Sequence, residues 1–462
     1  MSALFSNIYS ESEVNQPSKF EVFYSSSRPG AGKTEWAVER MANIETKWLY
    51  VVDRRDVIAD RIKRIRKISQ DITINEIHSE HVASRIRSWN YDAANDDDHQ
   101  ILIITHEGLM ISDLSSYAGW SIIIDEVLDP WMYDDVKSTL TADVFSELFT
   151  INDRYLTIRK NTTPSKLMSD TALNDQMPKL YNAAKRGKVI ATIDDFPVDR
   201  SWQWFSIWNF DQLKVFDVRY VVANSFSESL MYKLMMATGG FVFKEIDLPE
   251  TAYEPRRVII RYFDHENRAC QAFFKSNAGK QALTAISAYY EKMPPDRVWT
   301  KNNQNMNNLN CHGSRLNPKV SGSNSYKNYT KATIIYSAKP SAQEQRMIDL
   351  FEIDVDEVIR ARELETIIQF VTRTSIREPD DARTCEFDVY DAGQAADLKA
   401  YLDGLDIGLV VTLAYIDLGI KKREVRQNGR PSTGTAKTGA ERKRKFDERK
   451  RLEKTLKRLG RN

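Results

Sequence analysis

The run Ser25-Ser26-Ser27-Arg28-Pro29-Gly30-Ala31-Gly32-Lys33-Thr34 carries residue types suited to holding a polyphosphate. Phe20–Tyr24 before it is aromatic and β-branched and reads as a strand, and Glu35–Met41 after it reads as a helix. A glycine-bearing turn between strand and helix that ends in Lys-Thr is the pattern of a phosphate-binding loop. Gly30 and Gly32 let backbone N–H groups wrap phosphate oxygens, and the helix N-terminus adds positive potential. Lys33 has the reach for the β- and γ-phosphates of ATP, and Thr34 offers a hydroxyl to Mg²⁺. Ser27 to Thr34, with Ala31 between the glycines, is therefore the expected nucleotide cradle.

A second constellation is Asp125-Glu126, which closes the apolar run Ile122-Ile123-Ile124. Carboxyl ends of parallel strands face the ligand crevice of an open α/β sheet. There Asp125 can hold Mg²⁺, mostly through water, and Glu126 can orient and deprotonate an attacking water.

These groups need a scaffold, and the rest of the chain reads as one. Strand-like Trp48–Val52, Ile72–Ile77, Ile101–Thr105 and Ser121–Asp125 alternate with helix-like Asp56–Ile65, His81–Trp89 and Glu107–Leu114. Near-continuous apolar strands between helices predict a doubly wound parallel sheet, buried on both faces. From about 131 to 215 the pattern loosens, and a helical insertion is expected there. Its Ser201–Trp208 run holds three tryptophans suited to packing a core or to stacking bases, with the core preferred. Arg219–Ala223 resumes the sheet. A second alternating series follows: Arg257–Tyr262, Ala278–Lys292, Arg297–Thr300, Ala332–Tyr336, a long helix through Ile359–Thr374, and Glu386–Tyr390. Pro249 and Pro255 break the pattern, so the boundary is placed at 250/251. The Asn-rich Lys301–Asn310 reads as an exposed loop.

The chain has 462 residues, of which 42% are hydrophobic, enough for two or three cored domains. Its three cysteines, Cys270, Cys311 and Cys385, are too dispersed for a disulfide framework or a zinc site. No apolar run reaches the length of a membrane span and no signal peptide is read, so a cytoplasmic protein is expected, in the host cytoplasm if viral. From Lys421 to Asn462 there are 17 Lys/Arg against 5 Asp/Glu, net +12, so a whole-chain charge of +1 leaves −11 on residues 1–420. A basic tail on an acidic body predicts a polyanionic partner.

In order and spacing the series resembles a superfamily 2 helicase, the group that includes the DEAD-box and DExH-type enzymes. Ser27–Thr34 is similar to motif I, with Ser27 in place of its first glycine, and Asp125-Glu126-Val127-Leu128 is similar to motif II. Asp53-Arg54-Arg55 stands at motif Ia, Thr105-His106-Glu107 resembles the strand end before motif II, and Ala223-Asn224-Ser225 stands at motif III, with Asn224 replacing a hydroxyl residue. Gly322-Ser323-Asn324-Ser325-Tyr326 resembles motif V. Gln369-Phe370-Val371-Thr372-Arg373-Thr374-Ser375-Ile376-Arg377 resembles motif VI, with Thr372 for the usual Gly and four residues between the arginines instead of three. Spacings of four would set Gln369, Arg373 and Arg377 on one helical face, aimed across a cleft at the γ-phosphate.

The resemblance covers roughly residues 18–420. It implies two RecA-like domains, 1–250 with the insertion and 251–420, which hold ATP and Mg²⁺ between them. It also implies a nucleic-acid path over Arg54, Arg55, Thr105 and Asn324. Residues 421–462 form a basic nucleic-acid-binding tail, in which Gly429-Arg430-Pro431 matches the core of a minor-groove AT-hook or is a plain linker. A compact core with such a tail is reminiscent of phage replication proteins, which makes DNA the favoured substrate and replication proteins the further partners. Two rival readings are a viral DNA-packaging motor and a DNA-binding protein with a degenerate ATPase.

Overall fold

The computed structural model describes residues 20–77, 98–137, 149–152, 155–159, 180, 183–184, 187–191, 201–248, 251–302, 306–318, 325–341, 344–345, 348–349 and 353–423. The expected helix His81–Trp89, Asn324 of the motif V segment, and Arg430 with nearly all of the tail lie outside them. Residues 422–462 form a unit apart from 1–421.

The first half is built on β1 (Phe20–Ser25), β2 (Lys47–Val52), β3 (Thr73–Ile77), β4 (Gln100–Thr105) and β5 (Ser121–Asp125). Between β5 and the next strand of this sheet lie β6 (Trp131–Lys137), β7 (Phe149–Asn152), β8 (Tyr155–Ile158), β9 (Gly187–Ala191) and β10 (Ser201–Trp208). The sheet is completed by β11 (Val218–Val222) and β12 (Phe241–Glu245) in the order β12-β1-β11-β5-β2-β4-β3, with every pairing parallel. Alternate residues feed opposite faces. Leu49, Val51, Ile122 and Ile124 enter one core, while Tyr50, Val52 and Ile123 enter the other. That is the two-sided burial expected of near-continuous apolar strands. Helix α1 (Lys33–Asn43) and helix α2 (Ile58–Ile68) turn Ala37, Val38, Met41, Ile58 and Ile65 onto the second face.

The second half has its own all-parallel sheet. Its strands are β13 (Arg256–Asp264), β14 (Val298–Lys301), β15 (Ser314–Arg315), β16 (Lys331–Ile335), β17 (Cys385–Asp391) and β18 (Leu409–Tyr415), ordered β15-β14-β16-β17-β13-β18. Helix α3 (Asn277–Glu291) packs on one face, and α4 (Val355–Ile359), α5 (Glu365–Val371) and α6 (Ala392–Asp403) follow in chain order. A π-helical turn, Arg360–Leu364, joins α4 to α5. The two doubly wound parallel sheets foreseen from the sequence are both present. Among the described residues no helix is long and apolar enough to cross a membrane.

The insertion differs from expectation. Its described residues form chiefly an antiparallel sheet, β6-β10-β9-β8-β7, where helix was read. The physical reason lies in Ser201–Trp208, rich in aromatics with high strand propensity, which pairs with β6 and β9 on its two sides. Trp204 and Trp208 are buried, and Trp208 joins Trp131 and Ile207 in the core of the first half, in line with the packing role preferred for them. The Lys301–Asn310 stretch is a loop as read, and among its described residues Asn307, Asn308 and Asn310 are exposed. Met306 and Leu309 are buried, and Lys301 Nζ donates to both their carbonyls, at 2.9 and 2.6 Å, which tethers the loop from within.

One exchange between the halves stands out. Ile348 and Val358, from the second series, are buried within the core of the first half. Lys233 pairs with Glu357 at 2.5 Å and Arg362 with Asp129 at 3.2 Å beside them.

Candidate nucleotide cleft

The phosphate-type loop follows β1 as read. Gly30 and Gly32 have φ of +87° and +84°, the left-handed region that side chains disfavour. Those two turns reverse the chain so that Gly32 caps α1 and Lys33 is its first residue. Lys33 is buried, and its Nζ donates to the carbonyls of Ser27 (2.5 Å) and Arg28 (2.9 Å). Burial pulls its pKa down, against the opposing pull of Glu126, Glu365 and Asp125.

Asp125 ends β5 in register with Val222 of β11, and Val222 is also level with Ser25 of β1. The strand ends therefore place the carboxylate beside the loop. Asp125 Oδ2 accepts from Tyr50 (2.7 Å), Thr34 (3.4 Å) and Arg61 (3.5 Å). His106 Nε2 lies 3.0 Å from its backbone oxygen. Glu126 has φ +72°, uncommon for a side-chain-bearing residue, and its N–H donates to Val222 at 3.1 Å. The kink turns the glutamate out of the sheet toward the cleft. The residue is half-buried, and desolvation, reinforced by Asp125 and Glu365, pushes its pKa up to about 7.

The second half supplies the opposite wall. Gln369 Nε2 reaches Glu126 at 3.4 Å and Glu365 at 2.9 Å, and Gln369 Oε1 accepts from Arg373 at 3.2 Å. Arg373 is buried, and its pKa is lowered by desolvation. The single-helix-face geometry expected for Gln369, Arg373 and Arg377 is corrected. Helix α5 ends at Val371, and Ser375–Arg377 is a separate 3₁₀ turn. At the break the backbone tightens, with Arg373 and Thr374 N–H donating to the carbonyls of Phe370 and Val371, three residues back. Thr372 Oγ1 and Thr374 Oγ1 each bond a preceding helix carbonyl at 2.7 Å, and β-branched residues with such bonds disfavour helix continuation. The turn still brings Arg377 to the cleft. A Cβ at Gly30 would lie 3.4 Å from Arg377 Cβ.

Other foreseen residues take more local partners. Arg54 pairs with Asp56, Arg55 is exposed, and Thr105 caps the helix His106–Ile111 by accepting from Gly108 N–H at 3.1 Å. Because Thr105 is level with Val52, these three residues share one strand-end rim.

Tyr50, Arg61, Glu365 and Tyr401 were not foreseen, and His106 was read only as part of the strand-end segment, without its contact to Asp125. Two left a trace in the sequence. Tyr50 puts a hydroxyl into an otherwise apolar strand, and Arg61 stands in the apolar stripe Ile58, Ile62, Ile65.

The donor set fits a magnesium nucleotide. Thr34 and Asp125 are hard oxygen donors close together, and Arg373 Nε on the cleft wall is buried with no hydrogen-bond partner among the described residues.

Neither a family model nor a curated protein matches the sequence. Solved structures do resemble the chain in shape. An XPD helicase structure is 11% identical with TM-score 0.46, covering 85% of this chain and 96% of that one. Xpd4 of S. tokodaii is 12% identical with TM-score 0.44, covering 85% and 96%. Dbp5 of S. cerevisiae, bound to RNA and ADP BeF3, is 9% identical with TM-score 0.35, covering 87% of each chain. At such scores these likenesses assign neither family nor activity.

Proposed function

We propose that this chain is an ATP-dependent nucleic-acid helicase or translocase, with DNA the favoured substrate, that hydrolyses ATP between two RecA-like domains, 1–250 and 251–420. One observation carries the reading. The loop lysine Lys33, the strand-end carboxylates Asp125 and Glu126, and the Gln369–Arg373 pair come from opposite halves and meet in one cleft.

Mg²⁺·ATP would supply the reactive phosphoanhydride and neutralise charge on it. Lys33, with the N–H groups of Gly30, Ala31 and Gly32 and the small Ser27, would cradle the phosphates, and Thr34 and Asp125 would hold the metal. Tyr50 and Arg61 fix the Asp125 carboxylate by bonding its Oδ2. Glu126, aimed into the cleft by its left-handed backbone, is the group placed to take a proton from water. Arg373 and Arg377 bring positive charge from the second half, and Gln369 ties Arg373 to Glu126. Nucleic acid would cross the rim of Arg54, Arg55 and Thr105 and the segment with Asn324, and the tail with Arg430 would add phosphate contacts.

ATP turnover by the purified full chain, measured alone and with single- and double-stranded DNA and RNA, tests this. Turnover stimulated by one of them supports it. A protein that binds DNA yet never hydrolyses ATP would be the degenerate ATPase instead.

A further inference from the structure

Asn224, at the end of β11 in the first half, stands where the resemblance calls for a hydroxyl residue. It is buried, and its amide crosses to the second half. Nδ2 donates to Glu365 Oε2 at 2.7 Å, while Oδ1 accepts from Tyr401 OH at 2.9 Å. The carboxylate of Glu365 only accepts, so it draws the N–H₂ end of the amide and leaves Oδ1 to accept from the Tyr401 hydroxyl. A serine or threonine at 224 has a shorter side chain than the amide that now bonds both Tyr401 and Glu365.

The other oxygen of Glu365 leads to the cleft. Oε1 accepts from Gln369 Nε2 at 2.9 Å, which leaves Gln369 Oε1 to accept from Arg373 Nη2. Amide polarity is thereby set along a chain of bonds, Asn224 to Glu365 to Gln369 to Arg373, with Glu126 reached from Gln369 on the way. Glu365 is half-buried beside Lys33 and Arg373, and a carboxylate there opposes Glu126 electrostatically. Such a charge needs its two amide donors, and they come from different halves. The π turn Arg360–Leu364 immediately precedes Glu365 and adds one residue to the local turn, which rotates all that follows about the helix axis.

We infer that Asn224 and Glu365 form a cross-cleft clasp that positions Gln369 and Arg373 against Glu126, making both of them positioning residues for turnover. The inference rests on the ATPase reading for its catalytic consequence but not for the clasp itself.

The test exploits donor–acceptor polarity. Asn224→Asp sets two carboxylates face to face, and Glu365→Gln sets two amides face to face. The double variant Asn224→Asp/Glu365→Gln reverses the bond with nearly unchanged shape. In it, Asp Oδ1 still accepts from Tyr401 and Gln Oε1 still accepts from Gln369. Each single variant should lower kcat about tenfold, the usual scale for a lost charged hydrogen bond, with KM for ATP changed less than about twofold. The double variant should recover to within about threefold of the parent. Thermal unfolding of the nucleotide-free proteins, run on the same four chains, reads the clasp without any turnover. The singles should melt lower, and the double should regain most of the loss. Additive losses in melting overturn the clasp. A non-additive melting cycle with additive kcat losses overturns its positioning role. A parent chain without turnover overturns the ATPase reading and leaves the melting cycle to decide the clasp.

Discussion

Tyr50 donates its hydroxyl to Asp125 Oδ2 at 2.7 Å from the neighbouring strand, with both residues buried. A phenol in the middle of an apolar strand thus serves the carboxylate at the sheet's carboxyl edge. Tyr50→Phe keeps the ring and removes the bond, leaving Asp125 with Thr34 and Arg61. The expected cost is about 1–2 kcal/mol in unfolding free energy, and the Mg²⁺ dependence of turnover should shift to higher concentration. Denaturant unfolding and a magnesium titration check the two effects separately.

Lys33→Ala should abolish ATP turnover. Among the described residues the lysine's hydrogen bonds go to the loop carbonyls of Ser27 and Arg28, so the sheet should fold without it, and circular dichroism should match the parent. Turnover near the parent rate in that variant would remove the phosphate-loop assignment.

Glu126→Gln should bind nucleotide and hydrolyse it slowly, because Asp125 is untouched while the proton acceptor is gone. The parent should show a pH dependence that the variant lacks. With the Glu126 pKa raised from 4.5 to about 7, the carboxyl is protonated below that point, and kcat/KM should fall as pH drops through 7. Stability runs the other way. The folded state holds this proton more tightly than the unfolded chain, so the group's contribution is complete below 4.5 and is lost as pH rises through about 7. A pH–rate profile and melting curves at pH 5 and 8 for both proteins would show the opposed trends.

Removal of residues 421–462 takes away a net charge of +12 and leaves a body of −11. DNA binding should weaken, and the plot of log affinity against log salt should flatten, since each phosphate contact contributes a slope of roughly −0.9 on duplex DNA. Basal turnover should persist, because among the described residues no cleft residue lies beyond Tyr401. An unchanged slope would assign the tail to a protein partner.

The sheets were legible because period and context agree. Runs such as Ile122–Ile124 have nowhere to go but a strand buried on both faces, and Lys33-Thr34 between strand and helix has a definite geometry. The break after Val371 was hidden, since helical spacing does not show where the backbone tightens to bonds three residues back. Glu365 was hidden for another reason. Its partner Asn224 is far away in sequence, and nothing local marks a carboxylate as one that crosses a cleft.

The seating of Ile348 and Val358 in the first half's core has a consequence during synthesis. The first sheet is complete at Glu245, yet the apolar surface it offers to those two side chains stays uncovered until about 110 residues more have left the ribosome. At about 5–20 residues per second this is a wait of roughly 5–20 s. The nascent first half therefore spends that interval with a sticky face open, and a chain stopped near residue 250 keeps that face for good. Two lobes that look separable on paper are stitched by late-arriving residues into one folding event.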